Sequence, residues 1–97
     1  MDKKNLEDMF NVFWKSYLDL EKKIWELEDR CKQEPSEVLQ ATIYDLCSIG
    51  LGQLGNLEYM VPNVYNGQVL DNFQSACRIK INDLREISSK VMSSRTK

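Results

Sequence analysis

The stretch LEDMFNVFWKSYLDLEKKIWELEDRC, Leu6 to Cys31, decides the fold. Leu6, Phe10, Phe13, Tyr17, Leu20, Ile24, Leu27 and Cys31 succeed one another at alternating spacings of four and three. That alternation holds one apolar stripe on one side of an α-helix over about seven turns, and no period-two reading survives it. A second strip, Trp14, Leu18 and Trp25, runs beside the first. A helix with a single neighbour needs only the narrow stripe, so this one either touches two neighbours in its own bundle or offers an aromatic surface to another chain.

The expected helix runs from about residue 5 to 32, with Asp2 or Asn5 able to cap its free N–H groups. Asp19–Lys23, Glu26–Arg30 and Glu28–Lys32 place an acid four residues before a base on the solvent side. Glu21, Glu28 and Asp29 read as part of that charged face. Pro35 and Ser36 then mark a break and a new start. Val38, Leu39, Ile43, Leu46, Ile49 and Leu57 recur at helical spacing, giving a second helix over about 36–61.

Gly50, Gly52 and Gly55 are the difficulty, since each weakens a helix interior by roughly 1 kcal/mol relative to alanine. Either the helix breaks between Gly50 and Asn56, making four helices, or the glycines serve packing. An antiparallel pairing about a turn near Glu34 sets Gly52 level with Tyr17 and Gly55 level with Trp14, bulky side chains against none. Pro62 is expected to end this helix, leaving a loop over 62–67 in which Val64 and Tyr65 are unusually apolar, there either to fold back over the end of the bundle or to contact a partner. Leu70, Phe73, Cys77, Ile81, Leu84, Ile87 and Val91 give a third helix over about 68–92, followed by a tail at 93–97.

The expected architecture is therefore all-α: one domain over 1–97, an antiparallel up-down-up three-helix bundle with short connections. No apolar run reaches the roughly 20 residues that span a bilayer, and the first residues lead into an amphipathic helix and not a signal core. Three cysteines, at 31, 47 and 77, sit beside apolar neighbours and read as reduced, buried thiols of a cytoplasmic protein. The formal net charge is −2, unevenly spread: residues 1–67 carry twelve acids and seven bases, residues 68–97 three acids and six bases.

The chain has no histidine, which removes the usual general base at neutral pH and the commonest transition-metal ligand. The stretch Gly50-Leu51-Gly52-Gln53-Leu54-Gly55 follows a helix and misses the dinucleotide fingerprint. No C-x-x-C pair suggests zinc, so neither metal nor cofactor is expected. Asp45 and Asp83 stand among apolar residues and are the carboxylates to watch for a small all-α enzyme. Arg78, Lys80, Arg85 and Lys90 make the third helix basic, the feature that would serve nucleic acid or an acidic partner, although a sequence pI near 5.1 opposes it.

By elimination, the expected role is non-enzymatic binding of another protein, or of a second copy, as an assembly subunit, adaptor or inhibitor. Trp14, Leu18 and Trp25 on the first helix, with Val64 and Tyr65 in the loop, are the candidate contacts. A nucleic-acid accessory role is the alternative and an enzyme the third choice. No contact with a membrane is expected.

Overall fold

The computed structural model describes residues 3–95, with side chains from Lys4 to Ser93. Three helices account for the described chain: α1 (Lys3–Gln33), α2 (Glu37–Val64) and α3 (Gly67–Arg95). They pack as an all-α, up-down-up bundle, a rod of 50 × 19 × 17 Å. Among the described residues, no helix is long and apolar enough to cross a membrane.

Ser36 caps α2: its backbone is extended and its hydroxyl accepts a hydrogen bond from the Leu39 amide at 3.4 Å. Gly67 opens α3 at φ +61°, a left-handed conformation that glycine adopts without strain. The helix starts at Lys3, so Asn5 lies inside it and not at its cap, while Asp2 lies outside the described residues. None of the three acid–base pairs expected on α1 closes within 4 Å.

Two expected boundaries move. Pro62 does not end α2, which continues to Val64. The proline removes one backbone hydrogen bond, but it falls in the last turn, where Val61 and Val64 are buried and the Tyr65 amide donates to the Val61 carbonyl at 2.9 Å. The tail expected from 93 onward is helical through Arg95; Thr96 and Lys97 lie outside the described residues.

The glycine segment does not break the helix either. A Cβ on Gly50 would come within 2.8 Å of Leu84 Cδ1, 3.5 Å of Leu20 Cδ2 and 3.6 Å of Tyr17 Cε1. Gly50 is therefore the notch that lets α2 lie between α1 and α3. Gly52 and Gly55 have nothing within 4 Å of such an atom. The packing role expected of Gly52 against Tyr17 and of Gly55 against Trp14 is corrected accordingly: the glycine that Tyr17 and Leu20 meet is Gly50.

The core is one apolar column through Phe10, Tyr17, Ile24, Ile43, Cys47, Leu54, Leu57, Val61, Cys77 and Leu84. The middle helix, α2, packs closely on both others. By contrast, no Cα of α1 comes within 8 Å of a Cα of α3 among the described residues. Long side chains bridge that gap. At one end these are aromatic: Phe73 meets Phe10 edge-on at 5.0 Å and Trp14 edge-on at 5.2 Å, and it stacks with Tyr65 at 5.1 Å.

Candidate functional site

Midway along the same gap the bridge is ionic. Lys80 Nζ donates to Glu21 Oε2 at 2.9 Å and to Oε1 at 3.1 Å, and Tyr17 Oη donates to Glu21 Oε2 at 3.0 Å. Glu21 is only 7% exposed. The ammonium also lies 5.8 Å from the centre of the Tyr17 ring. Burial, then the bond and charge of Glu21, push the Tyr17 hydroxyl pKa above its ordinary 10.0. Both oxygens of the buried carboxylate thus have a donor, and its charge is paired with the Lys80 ammonium. Its role is to hold α3 beside α1.

Glu21 thus belongs to the core and not to the solvated face expected of it. A signal for this was present. Phe10, Trp14, Tyr17, Glu21, Ile24, Glu28 and Cys31 form a second series at alternating four and three, which passes through both acids. The structure buries that stripe together with part of the first, turning Phe13 outward at 45% exposure.

The expected partner contacts fare differently from one another. Trp14 is half-buried in the aromatic cluster, against Phe10, Tyr17 and Phe73. Val64 is 3% exposed inside α2, and Tyr65 folds back onto Phe73 with its hydroxyl 3.4 Å from Asn11 Oδ1. Both residues plug the end of the bundle, one of the two roles expected of them, and Val64 is core within α2 and neither loop nor partner contact. Leu18 and Trp25 remain open, with Trp25 52% exposed.

The basic residues of α3 do not converge. Lys80 is committed to Glu21, and Lys90 pairs with Glu86 at 3.4 Å on the exposed surface. Arg78 and Arg85, seven residues apart, share a different exposed side of the helix from Lys80. Asp45 and Asp83 are exposed on the bundle's outside. Among the described residues no group of three or more His, Cys, Asp or Glu side chains is placed to hold a metal ion. The three cysteines are free thiols, Cys47 and Cys77 buried and Cys31 half-buried. Burial, and next Glu28, push the Cys47 thiol up to about 11. Burial likewise raises Cys77, Glu58 adding to the shift and Lys80 opposing it.

The feature that sequence reading missed lies on the opposite flank of α1, along its junction with α2. Phe13, Ser16, Gln53, Asn56, Leu57, Tyr59 and Met60 line an open groove of about 550 Å³. None of them is charged, and α2 carries no charged residue at all from Leu46 to Leu57. Met9, Val12 and Ile49 are exposed as well, and Tyr59 is 81% exposed. An outward helix face in contact only with water is normally charged. This one is uncharged and largely apolar, with Ser16, Gln53 and Asn56 its polar members.

Within the groove wall, the Gln53 side-chain oxygen is shut off from solvent and has no hydrogen-bond partner. An unpaired buried acceptor of this kind costs about 1–3 kcal/mol. Every other polar side-chain atom so deeply buried among the described residues has a partner. The signal available beforehand was compositional, namely a 28-residue helix without a single base and with its charges confined to Glu37, Asp45 and Glu58.

Comparison with known proteins adds no relative: no family model, no curated protein and no solved structure matches the chain.

Proposed function

We propose that the protein is a non-catalytic protein-binding module, and that the α1–α2 groove is where its partner docks. The observation that carries this reading is the neutral, apolar groove walled by Phe13, Leu57, Tyr59 and Met60, left open on a bundle whose other side chains already fill its core. Exposed aromatic and methionine side chains around a cleft are what interface centres are made of, and charged residues are depleted there. The partner is an apolar-faced helix or extended segment, since the groove follows the line between two antiparallel helices. Leu18 and Trp25, on the far side of α1, are a smaller and separate patch.

The absence of histidine and the commitment of Glu21 to Lys80 and Tyr17 both speak for binding and against catalysis. The dispersal of Arg78, Lys80, Arg85 and Lys90 around α3 gives a phosphate backbone no continuous track.

Affinity capture from the native host tests the reading with three baits: the unaltered protein, Tyr59→Glu and Arg78→Glu. Tyr59 is almost wholly exposed, so its replacement leaves the bundle intact. The expected result is a protein retained by the unaltered bait and by Arg78→Glu, and lost from Tyr59→Glu. Retention by all three, or recovery of nucleic acid that Arg78→Glu abolishes, would overturn the proposal.

A further inference from the structure

We infer that the partner of the α1–α2 flank is a second copy of this chain, seated α2 against α2 and antiparallel, about a two-fold axis beside Gly52. The inference deepens the protein-binding reading above and rests on it for the use of this flank. A two-fold contact brings each residue near the axis against its own copy. The middle of such a face must therefore be free of charge, because like charges would meet there. Of the three helices only α2 meets that condition. It carries no charged residue from Leu46 to Leu57, whereas exposed Lys15, Asp19 and Lys22 stand at the middle of α1 and exposed Arg78, Asp83 and Arg85 at the middle of α3.

The exposed residues of α2 are also disposed evenly about Gly52. Antiparallel pairing through Gly52 sets Ile49 of each copy level with Gly55 of the other. Ile49 is 52% exposed, and Gly55 has nothing within 4 Å of an added Cβ, so apolar bulk meets open space on both sides of the axis. The same register sets Asp45 level with Tyr59 of the second copy; both are exposed, and the phenolic hydroxyl is a donor for the carboxylate. The two Asp45 side chains then stand about 20 Å apart along the helices and do not oppose each other. Met9, Val12 and Phe13 extend the apolar surface along α1. From Thr42 to Pro62 the outward face of α2 is about 30 Å long, and across the 19 Å width of the rod it offers roughly 600 Å² per copy, the lower bound for a specific dimer.

The experiment is sedimentation of the full-length protein over about a hundredfold range of concentration, for the unaltered chain, Ile49→Lys and Trp25→Lys. Both positions are exposed, so neither change disturbs the bundle. The unaltered chain and Trp25→Lys are expected to pass together from one chain to two, and Ile49→Lys to need about 10-fold more protein or to stay a monomer. A mixture of isotope-labelled and unlabelled chains reads the register: cross-peaks between the Ile49 methyl groups of one copy and the Gly55 α protons of the other are expected. A monomer at every concentration, a dimer that Ile49→Lys leaves intact, or one that Trp25→Lys dissolves would overturn the inference. The docking reading survives that failure if Tyr59→Glu still loses a captured protein, and it falls by itself if all three baits of the capture experiment retain the same one.

Discussion

At the scale of single residues, the side chain that most constrains the molecule is Glu21. A carboxylate taken out of water is strongly destabilising unless it is paired and hydrogen-bonded, and here Lys80 and Tyr17 supply both conditions. Lys80→Met should therefore destabilise the protein by about 3 kcal/mol, because it strands a buried charge. Glu21→Gln together with Lys80→Met should recover most of that loss, since the amide still accepts from Tyr17 and no charge remains buried. Denaturant titration of the two single variants and the double variant measures this; a double variant as weak as the sum of the singles would show that the pair is not coupled. Alkaline titration reads the same region. The core stabilises the neutral forms of Cys47, Cys77 and Tyr17, whose pKa values are all raised. Their contribution is whole below pH 9 and is lost as pH climbs through about 11 for Cys47. The denaturation midpoint should accordingly hold up to pH 9 and fall beyond it, and a midpoint that rises there would contradict the burial of these thiols. The role of Glu21 was legible only in part. Its place in a four-three series was on view, but an acid in such a series is ordinarily solvated, and its partner lies 59 residues away on α3.

At the scale of elements, the three helices were legible because four-three periodicity agrees with the break at Pro35 and the turn before residue 68. Local rules failed in α2, where propensity and packing compete. Three glycines and a proline argue for a broken helix, yet burial of Ile43, Cys47, Leu54, Leu57 and Val61 on one side holds it continuous. The glycines also separate by role, which spacing alone did not reveal. Gly52→Ala and Gly55→Ala meet open space and should each stabilise the free protein by about 0.5–1 kcal/mol. Gly50→Ala drives a methyl group to 2.8 Å from the buried Leu84 side chain, so it should gain nothing or lose up to about 2 kcal/mol. Thermal unfolding of the three variants checks this, and a higher midpoint for Gly50→Ala would refute the notch.

At the scale of the whole molecule, the bundle is lopsided. Its middle helix packs closely on both flanks, while α1 and α3 stand farther apart and are joined through side chains, among them the aromatic and ionic bridges. Of the two readings of the Trp14, Leu18 and Trp25 strip, contact with two neighbours in the bundle holds for Trp14, while Leu18 and Trp25 stay open. The open groove between α1 and α2 was not foreseen. Which flank stays bare depends on how far α1 rotates about its axis, and burying Glu21 turns Phe13 outward toward α2. Periodicity fixes a stripe's existence to within one residue, and one residue on a helix is a 100° turn. The groove is the product of that rotation meeting an uncharged face of α2. Its function is tested most directly by a photo-crosslinking amino acid placed in turn at Tyr59, Trp25 and Arg78 in the native host. The expected result is one protein adduct formed from position 59 and absent from position 78. An adduct formed from 25 or 78 alone, or none from 59, would contradict the assignment of the α1–α2 groove as the docking surface.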